Sequence, residues 1–148
     1  MRVVDIDLQD TYALRLAVLR DNTPTTNVRF AEDQWPGVFH LGIRDEDGQL
    51  IAISSWVPRD LEVMHEMRGL QLRGMATVRV MQGSGAGGML VIAGVQRAEH
   101  LGFDLVWANA RDTALAFYAH HRFVAIGDGF VEQATQLAHH VVMRNLHD

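Results

Sequence analysis

Residues 75–90 read Met-Ala-Thr-Val-Arg-Val-Met-Gln-Gly-Ser-Gly-Ala-Gly-Gly-Met-Leu. No other stretch constrains the fold as strongly. Apolar residues with strand character (Ala76, Val78, Val80) enter a glycine-dense turn, Gly83 to Gly88, and an apolar helical segment follows from Met89 to Leu101. A strand, a bare-backbone turn and a helix in that order form an anion cradle. Glycines let the main chain approach closely, the first N–H groups of the helix are free to donate, and the helix dipole favours negative charge. A glycine-rich turn alone is also an ordinary tight connection, so the surrounding elements decide its meaning.

The spacing of apolar residues predicts a short first strand holding Val3, Ile6 and Leu8. A helix follows, capped by Asp10 and running to about Arg20, with Leu14, Ala17 and Val18 on one face. Residues 21–37 read as mostly loop. Val38–Arg44 and Leu50–Val57 read as strands joined through Asp45-Glu46-Asp47-Gly48, with Gly48 supplying the positive φ. Leu70–Met81 is the next strand and residues 87–101 the next helix, closed by Gly102. Asp104–Ala108, a helix over 112–121, and strands Phe123–Ile126 and Ala138–Leu146 complete the order β-α-β-β-β-α-β-α-β-β. A βαβ unit around the glycine turn, preceded by hairpin strands, predicts an α/β (α+β) fold: one mixed sheet with helices on both faces, in a single domain spanning 1–148.

Composition removes several function classes. The chain has 148 residues and no cysteine, which excludes disulfides, a thiol nucleophile and thiolate metal sites. The net charge of −5, without a basic cluster, argues against nucleic acid and slightly favours a cationic or amine partner. No apolar run reaches membrane-spanning length and Met1-Arg2-Val3-Val4-Asp5 has no signal-peptide pattern, so a soluble, cytoplasmic protein without membrane contact is expected. His120-His121 and His139-His140 are adjacent rather than spaced i,i+4, and no metal site is expected.

A nucleoside-triphosphate P-loop needs lysine before Ser or Thr, and there is none here. Gly83, Gly85 and Gly88 have dinucleotide-turn spacing. However, the turn lies mid-chain after three other strands, with no tandem βαβαβ unit. What remains is Gln82-x-x-Gly85-x-Gly87 at the end of a long central strand.

Here the chain resembles the GCN5-related N-acetyltransferase (GNAT) family, whose acetyl-CoA signature is Arg or Gln, two residues, Gly, one residue, then Gly or Ala. Trp107-Ala108-Asn109-Ala110-Arg111, Ala114, Phe117-Tyr118 and Phe123 are similar to the family's next strand and helix. His140-Val141-Val142-Met143 and Leu14-Arg15…Val18-Leu19-Arg20 are similar to one bacterial branch. The resemblance implies a mostly antiparallel sheet and acetyl-CoA as co-substrate. It implies direct acetyl transfer to an amine of a small molecule or peptide; the alternative is a non-catalytic CoA-binding module on the same fold. It also implies that the central strand splays near Val78–Val80, the N–H of Val80 donating to the thioester oxygen. The cofactor would be held by Val78, Val80, the turn residues Gln82, Gly83, Ser84, Gly85, Ala86, Gly87 and Gly88, and Asn109, Ala114 and Phe117. Tyr118 is the expected general acid. Glu132 and His140 are candidates for the catalytic base; Glu62 and Glu66 read as a solvated face. Since His139 and His140 alternate on a strand, only one faces the cleft. A homodimer through the last strands is a further expectation. Two departures stand out. Arg122 occupies the position where the family usually has Gly before its aromatic residue, which predicts a different helix end. The turn carries Ser84 and Ala86 where relatives often have Arg or Lys, which predicts weaker CoA binding.

Overall fold

The computed structural model describes all residues, 1–148. Strand β1 (Arg2–Ile6) leads into helix α1 (Leu8–Leu14), which continues as a π-helical turn over Arg15–Leu19. Strands β2 (Phe39–Arg44), β3 (Leu50–Pro58) and β4 (Gly69–Thr77) precede helix α2 (Ala86–His100). Strand β5 (Leu105–Arg111), helix α3 (Leu115–His120) and strands β6 (Val124–Val131) and β7 (Ala138–Asn145) complete the chain. The order of elements is the one expected. The seven strands form one sheet in the order β1-β2-β3-β4-β5-β7-β6. Every neighbour pair is antiparallel except β4–β5.

Local chemistry fixes the ends. In the β2–β3 hairpin, Asp45 Oδ1 accepts from the N–H groups of Asp47 and Gln49, both at 2.9 Å. The cap of helix α1 lies three residues earlier than predicted. Asp7 is the capping residue, and Asp10 instead takes the Asp7 N–H at 3.1 Å from within the first turn. Helix α3 closes on Arg122 at φ +69°. The arginine therefore accepts the left-handed conformation that glycine would take, and the helix end is not displaced. Helix α2 packs Leu90, Val91, Val95 and Ala98 against Leu41, Ile43, Trp56 and Leu70 on one face of the sheet. Helix α1 covers the other face through Leu14 against Ile6, Ile53 and Ala76.

One irregularity positions everything that follows. Strands β4 and β5 share only three register pairs, Gly69↔Leu105 to Gln71↔Trp107. Beyond them β5 stays with β7 as far as Arg111↔His139, while β4 stays with β3. A bulge bends β4 there: Arg73 pairs with Ser55 and Ala76 with Ile53, so Gly74 and Met75 stand opposite Ser54 alone. The two strands therefore part from Leu72 onward. This corrects the expected splay at Val78–Val80. The ladder ends where Val78 N–H donates to Ile51 O at 2.9 Å, and Arg79–Met81 then winds into a 3₁₀ turn. Val80 is 91% exposed on that turn, outside the gap.

Candidate active site at the splayed strands

The gap between β4 and β5 opens into a cavity of about 180 Å³. Gln71 to Met75 of β4 and Asn109 to Arg111 of β5 line it from the sheet. Ala114 and Tyr118 close it from the α3 side, and Leu19, Arg20 and Phe30 from the N-terminal side. Glu132, Thr135 and His139 complete it from the β6–β7 connection. The π-helical turn places Leu19 and Arg20 at the opening, and Arg20 Nε donates to Asn27 O at 2.7 Å.

Tyr118 sits on α3 with its ring edge-on to Phe117 and Phe123, centroids 5.3 Å away in each case. It is 7% exposed yet borders the cavity. Burial pushes its phenol above the ordinary value of 10.0, because the phenolate would lose its hydration. The hydroxyl is therefore protonated throughout the neutral range.

The histidine pair is placed opposite to expectation. Strand alternation admits one of the two to the cavity, and the pairing Arg111↔His139 selects His139. His140 lies on the other face with Nδ1 2.7 Å from Asp112 Oδ1. His139 is 4% exposed. Its Nδ1 lies 2.7 Å from Leu137 O, an acceptor only, so Nδ1 carries a hydrogen, and in the neutral tautomer Nε2 keeps the lone pair. Nε2 lies 3.7 Å from Glu132 Oε2, and Glu132 Oε1 accepts from Thr135 Oγ1 at 2.9 Å. Glu62 and Glu66 are exposed and outside the cavity.

Around the opening the side chains are cationic, which the sequence pattern alone did not reveal. Phe30 lies under three guanidiniums, Arg15 at 3.8 Å, Arg73 at 4.3 Å and Arg20 at 5.7 Å from its ring centroid. Arg73 is distant in sequence from Arg15, Arg20 and Phe30, and meets them because the 21–37 segment folds back over β4.

The glycine turn lies at the start of α2, outside the cavity. Gln82, Gly83, Ser84 and Gly85 are exposed, and Ala86 is buried. Gly85 stands in the left-handed conformation immediately before the helix, and a Cβ there would meet nothing within 4 Å. The first N–H groups of the helix have no carbonyl partner within it. A Cβ on Gly87 would touch the Phe117 ring at 3.4 Å, which links the turn to α3. Arg79, the cation nearest in sequence, is paired with Asp21. His121, beside Gly88, has its pKa lowered by burial first and then by His120 and Arg144. Of the expected cofactor residues, Asn109 and Ala114 border the cavity, Phe117 backs the turn, and Val78 is half-buried at the end of β4. No cluster of three or more His, Asp or Glu is placed to hold a metal ion, and no helix is long and apolar enough to cross a membrane.

Comparison with known proteins agrees with this geometry. The Acetyltransferase (GNAT) family model matches residues 7–123, well over half of the chain. An uncharacterized N-acetyltransferase of Bacillus subtilis (strain 168), YitI, is 32% identical over 97% of this chain and 94% of its own length. Among solved structures, Escherichia coli ElaA superimposes with a TM-score of 0.79 at 17% identity, covering 98% of this chain and all (100%) of the other. An aminoglycoside 6'-N-acetyltransferase complexed with coenzyme A does so with a TM-score of 0.73 at 12% identity, covering 99% and 97%. The parted strands, the glycine turn at a helix start and the family match converge: this chain belongs to the GNAT family of N-acetyltransferases.

Proposed function

We propose that the chain moves an acetyl group from acetyl-CoA directly to an amine of a small molecule or peptide. The observation that carries this reading is the parting of β4 from β5 beside Tyr118. It leaves a stretch of strand edge unpaired at the cavity wall, where an extended pantetheine arm pairs as a further strand. Residues Leu72 to Thr77 replace Val78–Val80 as the main-chain contributors, and one of their N–H groups polarises the thioester carbonyl. The pyrophosphate is received by the first-turn N–H groups of α2 around Gly85 to Gly88. With Arg79 engaged by Asp21, the backbone and the helix dipole supply this grip.

Acetyl-CoA, as substrate, supplies the activated acyl carbon. The protein's own residues manage the protons. His139 Nε2 takes the proton of the amine as the N–C bond forms, and Glu132 stabilises the resulting imidazolium. The Tyr118 hydroxyl donates a hydrogen bond to the sulfur as the C–S bond breaks, and solvent supplies the thiol proton. The test is release of free CoA from acetyl-CoA over a panel of amines, in the wild type and in Tyr118→Phe. At saturating acetyl-CoA the variant should turn over about 10²-fold more slowly or worse. Turnover equal to wild type would remove Tyr118 from the chemistry.

A further inference from the structure

The charge around the cavity is opposite to that of the whole chain. The net charge is −5, yet Arg20, Arg73 and Arg111 border this one space of about 180 Å³ against a single carboxylate, Glu132. Arg73 is engaged outside it, donating to Glu32 Oε2 at 2.7 Å, a carboxylate it shares with Arg59, which holds Glu32 Oε1 at 2.7 Å. Arg20 and Arg111 have no carboxylate partner. Each is instead anchored by a backbone carbonyl: Arg20 Nε on Asn27 O at 2.7 Å, and Arg111 Nη2 on Leu19 O at 2.6 Å. Such anchors orient a guanidinium, leave its charge uncompensated and leave further N–H donors free. Burial weighs against the charge on Arg20, Glu132 favours it, and Arg111, Arg73 and Arg15 oppose it, so its pKa lies below the ordinary guanidinium value. At the cavity wall, the buried Gln71 carboxamide has an Oε1 with no partner.

Two oriented, unneutralised guanidiniums in a half-buried space call for an anion. The phosphates of acetyl-CoA do not meet this need, because the glycine turn that would hold them is not part of the cavity. Polyamines are disfavoured by like charge. An aminoglycoside, which carries several ammonium groups, is disfavoured for the same reason. Resting on the transferase reading above, we propose that the acceptor is a small amine that also carries a carboxylate, an amino acid in chemical class, whose carboxylate is received by Arg20 and Arg111. The amine then faces the other charge in the cavity, Glu132 with His139.

The test measures CoA release with four kinds of acceptor: α- and ω-amino acids, their amides, the matching amines without a carboxyl group, and dipeptides with free or amidated C-termini. Amino carboxylates should exceed their amides in kcat/KM by about tenfold or more. Arg111→Gln and, separately, Arg20→Gln should raise KM for the carboxylates by about tenfold with kcat largely kept, and leave KM for the amides unchanged. The dipeptide arm separates a free amino acid from a peptide end as the source of the carboxylate. Amides or polyamines turned over as well as the carboxylates would overturn this inference and leave the transferase reading standing. If no amine releases CoA, the transferase reading fails, and calorimetry with CoA present decides the inference. Carboxylate binding that weakens in Arg111→Gln supports it, and equal binding of acid and amide overturns it.

Discussion

His139 and His140 are adjacent, yet their surroundings give them different chemistry. His139 has its hydrogen fixed on Nδ1 by Leu137 O, its Nε2 turned toward Glu132, and almost no exposure. His140 is half-exposed and paired with Asp112. If His139 takes the amine proton, His139→Gln should lower kcat by about 10²-fold or more at saturating acetyl-CoA. His140→Gln should stay close to wild type. Equal losses in the two variants would place the base elsewhere. Tyr118 meets a limit at the same scale. A phenol above its ordinary pKa of 10.0 loses a proton to a thiolate of conjugate acid near 8.5 only uphill, by about 2 kcal/mol or more. Its role is best described as a hydrogen bond that stabilises the departing thiolate, with solvent completing the transfer. No alkaline limb should therefore follow from Tyr118 below pH ~10.

Among the elements, α2 depends on one close approach. A Cβ built on Gly94 would lie 1.9 Å from Trp56 Cζ2 and 2.1 Å from Cη2, and Trp56 is fully buried at 0% exposure. Glycine is needed here for space rather than for φ, since the helix backbone is ordinary. The indole also has little freedom to retreat, because its Nε1 donates to Ser54 Oγ at 2.9 Å and its ring stacks on Phe39. Gly94→Ala should therefore destabilise by about 3 kcal/mol, at the upper end of overpacking costs, despite alanine's better helix propensity. Urea unfolding measures this, and a stabilised variant would mean that α2 shifts freely over the sheet. Much of the element order was legible because each element has its own period or punctuation: the Asp45–Gly48 turn, the glycine cluster, Gly102. The end of β4 was not. Val78 and Val80 continue the strand's alternation, but the bulge at Gly74–Met75 and the missing β5 partner are tertiary facts. Histidine parity was hidden for the same reason. Alternation shows that one of the pair faces in, and only the register with β5 says which.

For the molecule as a whole, a buried polar network joins α1, the 21–37 segment, β2 and β3 behind the cavity. Arg15, fully buried, donates to Asp33 Oδ2 at 2.8 Å and Oδ1 at 3.0 Å, to Val28 O at 2.9 Å and to Ser55 Oγ at 2.9 Å. Ser55 Oγ, accepting from Arg15, has its own hydrogen for His40 Nδ1 at 2.7 Å, which keeps that nitrogen unprotonated. Burial first, and Arg15 second, lower the pKa of His40 below 6.5, with Asp33 and Asp7 opposing. Burial raises the carboxyl of Asp33, but the hydrogen bonds from Arg15 and the Phe30 N–H and the charges of Arg15 and His40 outweigh it and hold it below 3.8. Both shifts make the protein sensitive to acid, in separate windows. For His40 the unfolded chain binds the proton first, so its contribution is complete above about pH 6.5 and declines as the pH falls toward the lower folded-state pKa. His121, lowered in the same direction, adds to that window. For Asp33 the contribution is complete above about pH 4 and is lost as the pH falls through its depressed folded value. Unfolding free energy from urea melts across pH should therefore fall in two steps. His40→Gln should make the upper step shallower, and adding His121→Gln shallower still, while Asp33→Asn should diminish the lower step at a cost in stability at neutral pH. If His40→Gln keeps the full slope below pH ~6.5, the network does not hold His40 neutral. The segment that carries Phe30 and shapes the cavity opening would then be secured without His40, by Arg15 on Asp33 and by Arg59 and Arg73 on Glu32.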